Sequence, residues 1–158
     1  MSNLISRITR LISTFFFVGY FPFIPGTIAS LMGLGLFILF KDNLIVLLLL
    51  AILLLILGFY FSGRAEKYFN KKDAREIVID EVSGMFLSLI FLPQAKVRAV
   101  LFFAFFAFRI FDWTKPFPIR RLQKLSGSLG IMLDDIVAAI YTAAVFQIFF
   151  KFASWMTS

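Results

Sequence analysis

Long apolar segments, separated by short polar stretches, run through almost the whole chain. Five of them are candidate membrane-spanning helices, at residues 28–40, 44–61, 77–92, 97–113 and 129–150. A helix needs about 20 residues to cross a hydrocarbon core of about 30 Å. The first candidate would be only about 20 Å long, so it must begin earlier or be irregular. The pattern therefore predicts an all-α, polytopic membrane helical bundle of about five spans, whose first span is irregular or partly re-entrant.

The segment 11–23 is the main ambiguity in this pattern. It is also apolar, but Pro22, Pro25 and Gly26 interrupt it before a helix can start at Thr27. Such a segment is expected to form an interfacial helix or a re-entrant half. If it instead crossed the membrane fully, the N-terminus would move to the outer side and the five later spans would stay as predicted.

Composition limits both the kind of protein and its chemistry. Of the 158 residues, 61% are hydrophobic and only 16% are charged, which is too apolar for a soluble domain of this size. The length allows one compact bundle, so we expect a single integral membrane domain over 1–158. The chain has no cysteine and no histidine, which excludes thiol nucleophiles, imidazole bases and soft metal sites.

Basic residues are distributed unevenly between the two ends of the predicted spans. If the N-terminus is inside, the inner segments carry 11 Lys and Arg residues and the outer segments carry 4. The inner set is Arg7, Arg10, Arg64, Lys67, Lys71, Lys72, Arg75, Lys115, Arg120, Arg121 and Lys124, and the outer set is Lys41, Lys96, Arg98 and Lys151. Because Lys and Arg favour the cytoplasmic side, the richer end should face the cytoplasm. The formal net charge of +7 then belongs mostly to a belt that contacts anionic headgroups, and we expect no nucleic-acid partner.

Five of the nine acidic residues lie in or beside the apolar segments, where an unpaired carboxylate is costly. They are Asp80, Glu81, Asp112, Asp134 and Asp135. Counting crossings places all five near the cytoplasmic ends of the third, fourth and fifth spans, so three separate segments can converge on one acidic pocket. Such oxygen ligands suit Mg²⁺, which takes few carboxylates and keeps waters for exchange. Two structural alternatives stay open: ion pairs with inner Lys and Arg, or acids placed at helix N-termini.

Three further residues near these carboxylates suit an anion. Arg109 and Lys115 are each three positions from Asp112 on roughly one helical face, which fits either an ion-paired stripe or a phosphate with a bound cation. Thr27 is placed to act as the N-cap of the first span, whose free N–H groups are an anion site. Gly84 and the small residue four positions later would let a neighbouring helix approach closely.

Four ordered stretches resemble the phosphatidylglycerophosphatase A family of bacterial membrane lipid phosphatases. They are PFIPGTIAS at 22–30, EIVIDE at 76–81, FRIFD at 108–112 followed by KPFPI at 115–119, and GSLGIMLDD at 127–135. The resemblance implies a Mg²⁺-dependent enzyme of the bacterial cytoplasmic membrane, active in phospholipid biosynthesis. Such enzymes remove the terminal phosphate of phosphatidylglycerophosphate and leave phosphatidylglycerol. It also implies a catalytic metal site made of Asp80, Glu81, Asp112, Asp134 and Asp135, with Thr27, Arg109 and Lys115 binding the substrate.

The residues by themselves point to the same chemistry. Without Cys or His, phosphomonoester hydrolysis uses metal-activated water or a carboxylate nucleophile, and the missing Asp-x-Asp-x-Thr pattern favours the former. Arg109 and Lys115 would bind phosphate oxygens, and the sequence does not choose between Asp80 and Glu81 as general base. The alternative function is a cation- or proton-coupled transporter that uses the same carboxylates. A transporter should place them near the bilayer midplane, often between two related halves, whereas here they gather at one face.

Overall fold

The computed structural model describes residues 3–92 and 97–156, without the side chain of Asn3. Over these ranges the regular structure is entirely helical, which confirms the all-α prediction. The helices are α1 (Asn3–Ser13), α2 (Pro25–Phe40), α3 (Leu44–Phe69), α4 (Ile79–Ile90), α5 (Arg98–Thr114), α6 (Ile119–Leu122) and α7 (Ser128–Met156), with a short 3₁₀ turn at Val18–Tyr20. Lys96, one of the predicted outer cations, lies outside the described residues.

The helix α4 forms the core of the bundle. It packs against α2, α3, α5 and α7, and 10 of its 12 residues are buried. A Cβ added to Gly84 would lie 2.9 Å from the Cβ of Asp135 and 2.9 Å from the ring of Phe108. The predicted close approach at Gly84 is therefore confirmed, and it brings α4 against both α7 and α5.

The outer helices expose apolar faces. By length and composition, α3 and α7 are long and apolar enough to cross a membrane, and α2 is a shorter apolar helix. In both α3 and α7 only 22% of the most apolar 18-residue window is buried. A core helix of a soluble protein would bury most of such a window, whereas these two present side chains such as Leu49, Ile52, Ile148 and Phe149 to the outside. Two or three apolar candidate spans are thus present, in keeping with membrane association.

Consecutive long helices alternate in direction. We call the end of the bundle where α2, α4 and α7 begin, and where α3 and α5 finish, the loop end. At this end Glu66 of α3 accepts a hydrogen bond from the amide of Gly127, which precedes α7. Arg109, near the end of α5, donates to Ser30 near the start of α2. These two contacts join the end of α3 to the start of α7, and the end of α5 to the start of α2.

One expected boundary is confirmed and another needs correction. The helix α2 begins at Pro25, three residues before the apolar run 28–40, which is one of the two outcomes expected for a run too short to span; proline is preorganised for the first helical position. The second predicted span ends at residue 61, but α3 continues to Phe69. The guanidinium of Arg64 stacks 3.7 Å from the ring centroid of Tyr60, one helical turn earlier, which favours this continuation.

The N-terminal segment 11–23 does not form one crossing helix. Helix α1 ends at Ser13, and the three following phenylalanines, Phe15, Phe16 and Phe17, have positive φ values of 42°, 54° and 70°. The carbonyl of Ser13 accepts a hydrogen bond of 2.9 Å from the amide of Val78, just before α4. The segment therefore turns back at the loop end and packs beside the residues that lead into α4.

One side chain joins the two loops that lead into α4 and α7. Glu66 accepts a hydrogen bond of 2.9 Å from the amide of Asp73 at Oε1, and one of 3.1 Å from the amide of Gly127 at Oε2. Gln123 also donates from Nε2 to Oδ2 of Asp73, at 3.0 Å. The carboxylate of Glu66 thereby fixes the starting points of α4 and α7 relative to each other.

We predict that Glu66→Gln loosens both loops. The glutamine NH₂ group cannot accept an amide N–H, so one loop loses its acceptor, and hydrogen bonds to charged groups contribute about 1.5–3 kcal/mol. The free energy of unfolding should fall by about 2 kcal/mol. Amide exchange in peptides from 71–78 and 123–130 should become faster. Glu76→Gln is the matched control, because it removes a carboxylate from the same connection without touching either bond. Unchanged exchange in both loops would contradict the assignment.

Candidate functional site

Three carboxylates meet at the loop end of the bundle. Asp80 and Glu81 lie in the first turn of α4 and Asp135 lies in α7, and one oxygen from each lies within 4.8 Å of the others. Asp80 and Asp135 are buried, with 7% and 3% of their surface exposed. Asp80 Oδ1, Glu81 Oε2 and Asp135 Oδ2 are buried without a hydrogen-bond partner in the described part of the chain.

This arrangement is electrostatically unfavourable unless a positive charge or a proton joins it. Two ionised carboxylates 4.8 Å apart repel each other by about 3 kcal/mol at an effective dielectric constant of about 20. Burial adds a further penalty for each charge that lacks a partner. Orphaned, converging carboxylate oxygens are therefore the donor set that a hard cation such as Mg²⁺ requires, and these three residues fit it.

Arg109, which is paired with Asp112, forms one cationic edge of the site. Nη1 of Arg109 lies 2.8 Å from Oδ2 of Asp112, one helical turn further along α5. The same Nη1 donates to Oγ of Ser30 at 3.3 Å, and this hydroxyl donates to the carbonyl of Gly26 at 2.9 Å. The ion pair of Arg109 with Asp112 is one of the two alternatives that the sequence leaves open, and it is present in the structure. Ser30 additionally ties the guanidinium to the start of α2.

Lys115 forms the second cationic edge, but it does so outside the α5 helix. It is the C-cap residue, with a left-handed φ of 44°, so the chain turns there. Its Nζ lies 2.8 Å from Oδ2 of Asp134 on α7. Burial alone favours the neutral amine, but the carboxylates of Asp134 and Asp112 outweigh it and raise the pKa of Lys115 above its usual value. Lys115 is therefore protonated at neutral pH and bridges α5 and α7.

Thr27 lies at the site, although it is not the helix cap that the sequence predicts. Ile24 is the N-cap of α2 and makes no side-chain cap bond. The amide of Thr27 already donates to the carbonyl of Ile24 at 3.1 Å, so it is not a free N–H for an anion. What Thr27 contributes is its half-buried side chain, which lines the cavity.

All eight predicted site residues line one cavity of about 580 Å³. These are Thr27, Asp80, Glu81, Arg109, Asp112, Lys115, Asp134 and Asp135. They come from α2, α4, α5, the α5 C-cap and α7, so four helices contribute to a single pocket. The convergence that counting crossings predicts is thus present in the structure.

The sequence analysis missed three polar residues of the site. Asp73 and Arg75 line the same cavity, although both lie in the polar stretch between the second and third predicted spans. Arg75 donates to the carbonyls of Phe21 and Pro22, and so holds the segment before α2. Ser30 is fully buried and supports Arg109. Asp73 follows two lysines and lies two positions before Arg75, in a polar stretch without a recognisable motif, so no sequence signal pointed to it.

Comparisons with known proteins identify the family. The chain matches the family model described as Phosphatidylglycerophosphatase A over residues 11–150. It is 38% identical to a phosphatidylglycerophosphatase A of Haemophilus influenzae, covering 84% of this chain and 80% of that protein. It is 34% identical to the phosphatidylglycerophosphatase A of Escherichia coli K12, covering 86% and 80%. A Bacteroides thetaiotaomicron protein with the provisional name phosphatidylinositol-3-phosphatase is 32% identical, with 84% and 87% covered.

These matches give first a class and then a family. The relatives are phosphatases by name, and the present chain is an enzyme of their class, a phosphoric monoester hydrolase. Within that class it belongs to the phosphatidylglycerophosphatase A family. No solved structure gives a significant match to the chain.

Gly26 provides a test of the site geometry. A Cβ at this position would overlap with Oε1 of Glu81 and lie 3.5 Å from Nη1 of Arg109. We predict that Gly26→Ala lowers turnover about 10- to 100-fold, because a displacement near 1 Å at a reacting centre has effects of this size. Gly35→Ala is the matched control on the same helix, since nothing lies within 4 Å of its added Cβ. Equal phosphatase rates for both variants would show that Glu81 tolerates displacement.

Proposed function

We propose that this protein is a Mg²⁺-dependent lipid phosphatase that hydrolyses phosphatidylglycerophosphate to phosphatidylglycerol and phosphate. The reaction would take place at the cytoplasmic face of the bacterial inner membrane, as a step of phospholipid biosynthesis. The observation that carries this proposal is the convergence of five carboxylates and two cations on one cavity at the loop end of a largely apolar bundle. Family membership supplies the reaction class.

The choice of substrate rests on the names of two relatives. Those from Haemophilus influenzae and Escherichia coli K12 are named for phosphatidylglycerophosphate. The third relative is named for a phosphoinositide. All three names describe removal of a phosphate monoester from the headgroup of a glycerophospholipid. We therefore expect this shared chemistry here, with phosphatidylglycerophosphate as the preferred substrate.

The carboxylates would hold the metal. Asp80, Glu81 and Asp135 offer oxygens that converge and lack partners in the described residues. Asp112 and Asp134 adjoin them and are each paired with a cation. When bound, Mg²⁺ activates water and stabilises the charge that develops on the phosphoryl group.

The remaining groups would bind and orient the phosphate. Arg109 and Lys115 can exchange part of their contact with Asp112 and Asp134 for phosphate oxygens, since both cations line the cavity. The hydroxyl of Thr27 offers a further donor at the start of α2. The oxygen of a water molecule would attack phosphorus and form the new P–O bond, while either Asp80 or Glu81 accepts its proton. The bond between phosphorus and the glycerol oxygen would break, and that oxygen would take the proton back from the same carboxyl group, so that phosphate and the lipid alcohol are released.

For the membrane arrangement we propose five spans, formed by α2, α3, α4, α5 and α7. The helix α4 is only about 18 Å long, but its neighbours surround it, so it need not meet lipid along its full length. The sequence assigns 11 basic residues to the segments at the loop end and 4 to the opposite segments, so we propose that the loop end faces the cytoplasm. We also propose that α1 lies in the plane of the membrane beside the headgroups, because it is positioned at the loop end.

A transporter remains the second candidate only on general grounds. Buried carboxylates also occur in ion pathways, but there they lie near the bilayer midplane. In this bundle they occupy the first turns of α4, the early turns of α7 and the last turn of α5. That location at helix ends favours surface chemistry on a headgroup.

We predict that Asp→Asn at position 80, 112, 134 or 135 lowers phosphate release from phosphatidylglycerophosphate by at least about 100-fold. Removing a ligand charge weakens a metal that has few protein ligands, and about 3 kcal/mol of lost stabilisation corresponds to about two decades in rate. The assay uses purified protein and lipid substrate, with and without Mg²⁺. EDTA should abolish activity of the unmodified protein, and added Mg²⁺ should restore it.

Asp42→Asn is the control for these variants, because Asp42 lies in the turn between α2 and α3 at the opposite end of the bundle. It should keep normal turnover. If two of the four site variants retain near-normal activity at saturating Mg²⁺, the shared metal site is wrong. Full activity in EDTA would remove the metal from the proposal.

We predict that the loop end is cytoplasmic. The chain has no native cysteine, so single cysteines introduced at Lys71, Lys124, Lys41 and Lys151 report their own side. An impermeant thiol reagent added to intact cells should label positions 41 and 151 and should reach 71 and 124 only after permeabilisation. Labelling of positions 71 and 124 in intact cells would show that the orientation is the reverse of the proposed one.

A further inference from the structure

One wall of the cavity is apolar and open to the outside. Phe106, Ile110 and Trp113 of α5 line the cavity, yet 48%, 56% and 88% of their surfaces are exposed. Their spacing of four and three residues puts them on one face of the helix. Ile24, at the start of α2, lines the cavity as well and is 64% exposed. The cavity therefore opens sideways, between the start of α2 and the end of α5.

The apolar wall continues along α5 away from the cavity. The ring of Phe102, one turn before Phe106, lies edge-on to it at a centroid distance of 4.8 Å, and 58% of Phe102 is exposed. From Phe102 to Trp113 the helix rises about 16 Å. This is close to half of a hydrocarbon core of about 30 Å, and so to the depth that an acyl chain occupies in one leaflet.

We propose that Phe102, Phe106, Ile110 and Trp113, which we call the α5 stripe, dock the acyl chains of the phospholipid substrate. The lipid would then reach the carboxylates laterally from the cytoplasmic leaflet, through the gap beside Ile24. This inference rests on the proposed function, and it deepens it by assigning the part of the site that recognises the diacylglycerol moiety.

The geometry of α5 singles out this face among the exposed apolar faces of the bundle. The exposed residues of α3 and α7, such as Ile52 and Ile148, do not line the cavity. On α5, Ile110 directly follows Arg109, so one helical turn presents a guanidinium and an apolar side chain about 100° apart to the same cavity. An amphiphile with a phosphate at one end and hydrocarbon at the other matches this pair of surfaces.

The aromatic residue at the end of the stripe fits the same orientation. Trp113 lies one residue before the last residue of α5, at the loop end, and is 88% exposed. Tryptophan side chains concentrate at the boundary between headgroups and hydrocarbon. Trp113 would therefore lie at the level of the glycerol backbone, while Phe102 lies about one leaflet deeper.

The test compares a long-chain substrate with its deacylated headgroup. Ile110→Trp narrows the mouth of the cavity, and Phe106→Ala removes apolar contact from it. For each purified variant, kcat/KM is measured for dioleoyl phosphatidylglycerophosphate in detergent micelles and for glycerophosphoglycerophosphate, which carries the same terminal monoester without chains. The soluble compound is also measured as a competitive inhibitor of lipid hydrolysis. We expect kcat/KM for the lipid, divided by kcat/KM for the soluble compound, to fall about tenfold in both variants. If the soluble compound only inhibits, we expect KM for the lipid, divided by the inhibition constant, to rise about tenfold.

Phe103→Trp is the matched control, since Phe103 is 60% exposed on α5 but does not line the cavity. Its ratio should equal that of the unmodified protein. Equal losses for both ligands in Ile110→Trp and Phe106→Ala, or no loss in either variant, would overturn the docking role of the stripe. In those cases the unmodified protein still hydrolyses the lipid and the proposed function stands. If the unmodified protein releases no phosphate from the lipid at saturating Mg²⁺, the proposed function itself is wrong. The docking role of the α5 stripe, which rests on that function, is then wrong as well.

Discussion

Packing of three unpartnered carboxylates into the interior of an apolar bundle is the constraint on which the rest of this structure depends. Asp80, Glu81 and Asp135 approach one another because α4 and α7 come into close contact at Gly84. Repulsion between the carboxylates would push these helices apart, so other contacts must hold them. Extensive burial of α4 and the two hydrogen bonds of Glu66 across the preceding loops supply such contacts. The contacts that stabilise the fold thus also hold the three carboxylates close enough together to share a cation.

Charge balance explains why two cations lie beside so many acids. Five carboxylates against Arg109 and Lys115 leave 5 − 2 = 3 formal negative charges in the cavity if all are ionised, and Asp73 and Arg75 offset each other. A divalent cation would neutralise most of this excess, and Arg109 and Lys115 would then be available to an incoming phosphate. Their present ion pairs with Asp112 and Asp134 keep them positioned, because a protonated lysine and a guanidinium would otherwise extend into solvent.

The site also has two kinds of surface, as an amphiphilic substrate requires. Its floor carries carboxylates from α4 and α7, whereas its open side is formed by aromatic and aliphatic side chains of α5. In the membrane arrangement that we propose, the loop end would place the polar floor at the depth of the headgroups. The reaction could then take place at the membrane surface, without drawing the lipid out of the bilayer. The contributions of Arg75 and Ser30 then concern the shape of the rim, since both hold the segment around the start of α2.

The sequence alone determined the helical class and the five candidate carboxylates, because a carboxylate in an apolar segment is so unfavourable that it must have a partner or a ligand. Arg109 and Lys115 followed from their positions near Asp112 along the chain, and Thr27 from its place at the start of the first span. The close approach at Gly84 was also predictable, because Gly84 and Ser88 are small residues four positions apart. Only the tertiary structure decided which cation pairs with which acid, for Lys115 leaves the α5 face through a left-handed turn and reaches Asp134 on another helix. The roles of Glu66, Asp73 and Ser30, and the turn that stops segment 11–23 from forming one helix, depend on partners up to 79 residues away. The local sequence pattern shows where a buried charge would cost free energy. Which group offsets that cost depends on long-range packing, which the local pattern does not contain.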